Sequence, residues 1–558
     1  MLVNNLFEQD EQITFEDYLN KMGIGDITKY LKVPNSVLDN CYVYDNMREC
    51  VNTIKYHILN NSKIAIIVDS DTDGYCSSYM MYKYLKLHGV KKVKPFIQNG
   101  KERGIESEQM RKRLLEWKPN LLIIPDAGTN SADWEDEIID NEIDMCVIDH
   151  HNPVIDKDDP TKTKVCKRAI VVNNTMNKLD CNKSLSGTGV TFKVLQALDL
   201  DMNTKYSDRF VDLVGLSIIS DSMNVTTYEN RWFLKHMFTN ESDNMFMYEL
   251  FDRLLPLPDY TQYTQRDISF RIIPLFNSVI RCGTIEDKQN LFLAFDGKHI
   301  EDTIKMCQKY HSLQVKIVNE FIEAHQNQIE IQEESNIIII DSDAPKSFNG
   351  LIAGKVSGIT NKPCIVGKVI GTELKGSFRG YIKASTMITL PHVVEAVGHN
   401  VGAYGISIDV SNPSYLDEFR AEVDNMDISV IPTVITSYKA NRVPTDIFKE
   451  FVGHKDIWGK ELDKPRFYIY NVKVKCKDIK LMGKKEDTIK VSLDDYEIMF
   501  FKLTPSQIEQ FKIGSKKEIN INLIGNVDVN EWRGKKTNQI LVEDFEIEEA
   551  KDDFENLM

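Results

Sequence analysis

The sequence predicts a multidomain α/β protein: a helix-covered parallel sheet, a helical connector, a smaller α/β domain and a C-terminal β-barrel. Three observations carry this. Between residues 46 and 240, apolar runs at Lys63–Val68, Val93–Ile97, Leu121–Pro125, Met145–Ile148 and Ala169–Val172 alternate with helical stretches, the pattern of parallel strands joined by crossover helices. A second strand-rich stretch opens at Asn336-Ile-Ile-Ile-Ile-Asp341 and is rich in glycine to about residue 425. From 465 to 548, short strands and turns lack an apolar helical stripe, which predicts a small barrel. At 558 residues the chain exceeds what one hydrophobic core supports.

Taken in order, residues 1–45 read as a polar, partly helical N-terminal arm and 46–240 as the parallel-sheet domain. Residues 241–335 read as a helical connector, because Thr284–Glu334 has no proline and only Gly297 as a breaker. The glycine-rich α/β domain spans 336–425. A linker with Pro432 and Pro444 spans 426–464, the barrel 465–548 and an acidic tail 549–558. No apolar run reaches membrane-spanning length, and Met1–Glu8 lacks the basic flank and apolar core of a secretion signal. The 10 cysteines form no CxxC pair and read as free thiols. A cytoplasmic protein, monomeric by default and without membrane contact, is expected. The net charge is −16, yet basic residues bunch at Lys91–Lys94 with Lys101 and Arg103, and again from Lys464 to Lys485. Such runs are solvated faces or local anion sites.

The chemistry concentrates at the ends of the apolar runs. Ile64-Ala-Ile-Ile-Val68 leads into Asp69, Asp71, Asp73 and Gly74, with a helix expected from Ser77 to Leu87. Three carboxylates so close repel one another, and a hard divalent cation is the simplest counter-charge. The alternative is a solvated acidic turn. Asp126, the triplet Asp149-His150-His151 and Asp221 each follow a further apolar run, at Leu121–Pro125, Met145–Ile148 and Val214–Ser220, all read as strands. Parallel strands bring such ends side by side. Carboxylates with imidazole suit Mn²⁺ or Mg²⁺, and enough ligands are present for two ions, the arrangement that hydrolyses phosphoesters. The string is not a calcium loop, because the closing glutamate is missing.

In this order the motifs resemble the DHH phosphoesterase family, and within it the RecJ branch of single-strand-specific exonucleases, over about 500 residues. The resemblance implies a DHH domain, a helical connector, a DHH-associated domain and an OB-fold. It implies Asp71, Asp73, Asp126, His150 and Asp221 as ligands of two divalent cations, Mn²⁺ or Mg²⁺, with Asp126 bridging. Asp149 would orient its neighbours, His151 would face the scissile phosphate, and Asp69 would touch metal or its water. Ser184-Leu-Ser-Gly-Thr-Gly-Val-Thr-Phe192 is similar to the family's glycine segment, with a helix expected after it. Pro274–Arg281, Gly350–Ser357, Lys375–Arg379 and Gly398–Gly405 resemble the phosphate-gripping parts, implying Arg281, Ser377 and Arg379 on phosphates and His399 near the reacting one. The associated domain would close a cleft that admits a single strand. Asn526–Lys536 and Gln539–Asp544 resemble the end of the RecJ OB-fold, with Trp532, Arg533, Lys535 and Lys536 as contributors to strand binding, Trp532 being equally a core residue.

One departure concerns the arginine that the family carries after its second strand. Gly100 stands there in Ile97-Gln-Asn-Gly-Lys-Glu-Arg-Gly-Ile105, leaving Lys101 or Arg103 to substitute. The resemblance implies a two-metal exonuclease on single-stranded DNA, working 5′-to-3′ and releasing 5′-mononucleotides in recombination, repair or phage replication. A single-strand-binding protein or a helicase would be its partner. Two other readings stay open: a DHH phosphodiesterase of short oligonucleotides or cyclic dinucleotides, and a non-catalytic RecJ-like replisome scaffold. The OB-like segment speaks against the first and the intact acids against the second.

Overall fold

The computed structural model describes residues 2–100, 104–154, 163–238, 244–255, 263–399, 402–427, 432–532 and 535–549. The chain forms two compact units, one of Met1–Pro274, Gln289–Ile300 and Ile431–Met558, the other of Leu275–Lys288 and Glu301–Val430.

In the larger unit, β1 (Ile64–Val68), β2 (Val93–Ile97), β3 (Leu121–Pro125), β4 (Asp144–Asp149) and β5 (Ile170–Asn173) make a five-stranded parallel sheet in the order β2-β1-β3-β4-β5. Every residue of β1 is buried, as a continuous apolar run between two helical layers requires. One face packs Ala65, Ile67, Leu122, Ile124 and Val147 against Met110, Leu114 and Ile138 of the helices Glu108–Trp117 and Ala132–Ile139. Helices α1 (Thr72–Leu87) and α2 (Gly187–Met202) also pack on this sheet. The chain leaves β1 for β2 on one side and returns to β3 on the other. The crevice beyond the carboxyl ends of β1 and β3 is therefore the topological switch point, where open α/β sheets place their sites.

Two expectations are corrected here. The run before Asp221 is not a strand but part of α3 (Val211–Ser220), and Asp221 is its C-cap. Nearly all of α3 is buried, so its sequence is apolar without a polar face, and periodicity cannot separate such a helix from a buried strand. Gly215 lets it approach its neighbour: a Cβ there would lie 2.6 Å from Met237 Cβ. Likewise α1 begins at Thr72 rather than Ser77, because the Asp71 carboxylate caps it by accepting from the Gly74 N–H at 2.9 Å.

In the smaller unit, β6 (Ile338–Asp341), β7 (Cys364–Ile370), β8 (Glu373–Arg379), β9 (Val393–His399) and β10 (Ala403–Asp409) form a five-stranded sheet in the order β9-β10-β8-β7-β6, parallel only between β6 and β7. It carries an apolar core on each face. The region Thr284–Glu334 is helical, as Ile285–Ala294, Ile300–Ala324 and Gln326–Glu330, with the first break at Gly297 (φ +81°).

The N-terminal segment is polar overall but threaded into the core of the larger unit. Tyr18 OH donates to the Asp463 carbonyl at 3.0 Å, Tyr30 OH to the Val225 carbonyl at 2.9 Å, and Asn4 pairs in parallel with Thr433. The C-terminal sheet comprises β11 (Ser437–Lys439), β12 (Arg466–Lys475), β13 (Lys480–Met482), β14 (Thr488–Ser492), β15 (Glu497–Phe500), β16 (Glu518–Trp532) and β17 (Lys535–Glu549). Its order is β11-β12-β16-β17-β15-β14-β13. The β16–β17 ladder shifts register between Ile524 and Gly525, and a Cβ at Gly525 would lie 2.7 Å from the Leu541 carbonyl oxygen. Such irregularities bend strands toward the curl of an OB-fold. Pairing between the edge strands β11 and β13 is absent among the described residues, and the sheet is consistent with the partly open barrel of the expected OB-fold.

Candidate metal centre

Asp69 closes β1 and is buried, its Oδ1 accepting from the Gly104 N–H at 3.1 Å. Asp71 caps α1, and Asp73 lies in the first turn of α1, 1% exposed. Both oxygens of Asp73 are gripped by the start of α2: Gly187 N–H donates to Oδ2 and Thr188 N–H to Oδ1, each at 2.8 Å, with the Thr188 hydroxyl also on Oδ1. Ser186 caps α2 through the Gly189 N–H at 3.1 Å. The glycine segment therefore forms the first turn of α2 rather than preceding it. Two helix N-termini, with their partial positive charge, face the carboxylates.

That approach leaves no room for side chains. A Cβ on Gly74 would lie 2.6 Å from Asp69 Cβ, and one on Gly187 2.5 Å from Asp126 Cβ. Asp126 follows β3 in the left-handed region (φ +62°), held by its N–H to the Ile148 carbonyl at 2.8 Å, and is 1% exposed. This conformation is unusual outside glycine but tolerated by Asp, and such residues gather at functional sites.

Asp149 ends β4 with both oxygens occupied. Oδ2 accepts from the Thr129 N–H at 3.0 Å, and Oδ1 meets the His150 N–H at 2.7 Å and His151 Nδ1 at 2.7 Å. Asp149 thus orients the triplet. The His151 side chain remains one-third exposed. His150 Nε2 points inward, 3.3 Å from Asp126 Oδ1, 3.3 Å from Asp221 Oδ2 and 3.9 Å from Asp73 Oδ2.

The electrostatics follow from burial. Burial, then the charges of Asp73, Asp71, Asp221 and Asp69, drive the Asp126 carboxyl well above its ordinary value. Burial and the Asp221 charge raise Asp73 to about 6, with His150 and Thr188 opposing. Burial would also raise Asp149, but the His151 and His150 charges and its hydrogen bonds outweigh it and hold this carboxyl far below the usual range. Ligand-type atoms fall into overlapping groups, each within 4.8 Å: Asp73, His150 and Asp221; Asp69, Asp71 and Asp126; and Asp126 with the triplet. Asp126 Oδ1 and His150 Nε2 are buried without a hydrogen-bond partner. Buried polar atoms ordinarily find one. Oxygen donors with one imidazole and no thiolate fit a hard divalent cation of the Mg²⁺ or Mn²⁺ type.

The sequence-predicted residues Asp69, Asp71, Asp73, Asp126, Asp149, His150, His151 and Asp221 are thus brought together. The predicted phosphate-binding residues Arg281, Ser377, Arg379 and His399 lie in the smaller unit. Arg281 sits on the helix Ile273–Cys282, with Nη1 3.4 Å from Gln314 Oε1. Ser377 and Arg379 lie on β8. Burial lowers the Arg379 pKa, and its guanidinium lies against the helix Asn349–Thr360, where a Cβ on Gly350 would come within 2.6 Å of Nη2. The backbone of His399 ends β9, and that of Trp532 ends β16. The side chains of those two, and the whole of Lys101, Arg103, Arg533 and the tail beyond Glu549, lie outside the described residues. Sequence reading missed Thr188, Thr129 and Gly104. Only the Ser186-x-x-Gly189 capping spacing hinted that the α2 terminus was a carboxylate cradle.

A model of the DHH family N-terminal domain matches residues 63–218, and a model of the RecJ OB domain matches 442–544. The chain is 28% identical to the SPbeta prophage-derived protein YorK of Bacillus subtilis (strain 168), covering 96% of each. It is 21% identical to RecJ of the same organism, over 90% of this chain and 64% of that one. In both matched regions the chain is similar to the RecJ branch of the DHH family. Its fold matches a crystal structure of RecJ from Thermus thermophilus in complex with Mn²⁺, with TM-score 0.70 and 17% identity, covering 91% of this chain and 72% of that one. A Mg²⁺ complex of the same protein matches with TM-score 0.67 at 16% identity, covering 91% and 71%. The DHH match holds every residue of the metal centre except Asp221, three residues past its end.

Proposed function

We propose that this protein is a divalent-metal-dependent exonuclease acting on single-stranded DNA. The observation that carries the reading is the pair of ligand groups that share Asp126, whose carboxylate groups with the Asp149–His151 triplet on one side, where His150 also reaches Asp221, and with Asp69 and Asp71 on the other. A carboxylate common to both sides is what a two-ion centre needs as its bridge. When bound, the ions would lower the pKa of the attacking water, hold it in line and stabilise the charge on the phosphoryl and leaving oxygens. Asp73, fixed by the α2 terminus, keeps its carboxylate oriented without rotamer freedom. Asp149 locks His151 by its Nδ1, and His151 turns its part-exposed edge to the phosphate as a hydrogen-bond partner. Phosphate binding by Arg281, Ser377, Arg379 and His399 is proposed on the family resemblance, as guanidinium forks suit. The choice of single-stranded DNA rests on the kinship with RecJ of Bacillus subtilis, named a single-stranded-DNA-specific exonuclease, and on the OB-type sheet. We further propose 5′-to-3′ action with release of 5′-mononucleotides.

The test incubates the protein with Mn²⁺ and single strands labelled at either end, beside Asp126→Ala. Immediate mononucleotide release from the 5′ label, absent in the variant, is expected. Release first from the 3′ label would reverse the polarity. Turnover of dinucleotides alone would move the substrate to short oligonucleotides, and binding without turnover would make the protein a scaffold.

A further inference from the structure

In a chain of net charge −16, a cluster of cations around a pocket needs a physical reason. One such pocket, of about 220 Å³, lies in the larger unit beside the loop that carries Asp221. Ser222, next to that carboxylate, forms one wall. Lys460, Asp463 and Lys464, from the segment leading into β12, form another, and Arg266 lines it as well. Trp458 also lines the pocket, but it is 8% exposed and packs its ring against Phe15 and Tyr18, so it is a rigid support rather than a stacking platform.

The two walls are tied together. The Val225 N–H donates to the Lys460 carbonyl at 3.1 Å, fixing the loop after Asp221 to the segment before the C-terminal sheet. A Cβ on Gly459 would overlap the Gln265 side chain, so this backbone runs directly against the residue preceding Arg266. The cations are partly offset by carboxylates, since Lys460 Nζ lies 3.6 Å from Glu461 Oε1 and Asp463 shares the lining. Burial keeps the Lys464 ammonium below the usual lysine range, and Lys455 and Arg266 push the same way, against Asp528 and Glu543. An anion in the pocket would add a counter-charge beside Arg266, Lys460 and Lys464.

We propose that Arg266, Lys460 and Lys464 form a phosphate subsite for the substrate strand, between the C-terminal sheet and the metal centre. The placement follows from the chain itself: Lys464 stands two residues before β12, and Ser222 directly follows Asp221. Ammonium groups act as point charges on phosphate and carry no base preference, which suits a strand fed through regardless of sequence. The inference rests on the single-strand nuclease reading and names residues that hold the backbone short of the metals.

The experiment measures binding of fluorescent single strands of about 20 nucleotides to the full chain without metal, across a salt series, for wild type and for Arg266→Gln/Lys460→Gln/Lys464→Gln. Expected is a loss of affinity of roughly ten-fold or more, with the slope of log K against log salt falling by about 2, as three lost phosphate contacts predict for single strands. Mn²⁺ titration calorimetry and thermal unfolding accompany each variant. Unchanged affinity and slope in a variant that folds and binds Mn²⁺ overturns the subsite and leaves the nuclease reading standing. Lost Mn²⁺ binding also overturns it, because the three residues would then be supports of the Asp221 loop. A wild type that binds no single strand overturns both.

Discussion

At the residue scale the centre is a contest between burial and charge. Asp149 is kept ionised by its histidines and backbone donors, whereas Asp73 and Asp126 are pushed toward protonation. Asp149→Asn keeps the shape but weakens the anchor of His151, and about a 10- to 100-fold loss of Mn²⁺ affinity is expected, as for other residues that orient metal ligands. Asp126→Asn should lose more, and calorimetric titration of both ranks them. An equal loss would place Asp149 among the ligands. The raised Asp73 carboxyl also sets a pH dependence. Between its ordinary value of 3.8 and about 6, the folded metal-free protein binds a proton that the unfolded chain does not. Stability therefore rises as pH falls through about 6. The metal-free Tm should climb from about pH 7.5 to about pH 5.5 relative to that of Asp73→Asn, and saturating Mn²⁺ should remove the difference.

At the scale of elements, the two helix starts matter more than the helices. Gly187 exists because α2 must start against Asp126, and Gly187→Ala inserts a Cβ 2.5 Å from that side chain. Overpacking of this kind costs about 1–3 kcal/mol, and the α2 start must withdraw from Asp73 as well. Urea unfolding should show the loss, and Mn²⁺ titration a weaker site. Thr188→Val removes a hydroxyl from a buried carboxylate at nearly constant volume, with an expected cost of about 1–3 kcal/mol. Stability unchanged by Thr188→Val would mean that the two backbone donors suffice.

At the scale of the molecule, the larger unit is stitched from sequence ends. Residues 2–45 reach both the parallel-sheet domain, through Tyr30, and the C-terminal region, through Tyr18 and Phe15. Arg231, 3% exposed, pairs with Asp456 at 2.5 Å across the same boundary. Removing residues 431–558 would strip partners from Tyr18, Phe15 and Arg231. The truncated chain is expected to lose its cooperative thermal transition and its Mn²⁺ binding together, measured by circular dichroism and calorimetry. A truncation that melts cooperatively and still binds Mn²⁺ would show the parallel-sheet domain to be self-sufficient.

The sequence by itself determined the parallel sheet and most of its site, because both are local patterns. An unbroken apolar run such as Ile64–Val68 has few folds open to it, and acids or a histidine pair directly after such a run mark a strand's carboxyl end. What it left open was settled by packing at a distance. Val214–Ser220 is helical because it is enclosed on every side, and enclosure erases the periodicity that would identify it. The first turn of α2 became a carboxylate cradle only when Asp73 arrived from 114 residues away in sequence. The N-terminal arm is polar in composition, yet Leu19 and Tyr30 are fully buried. Composition reports what a segment contains, whereas its burial depends on partners far along the chain, as Asp463 is for Tyr18.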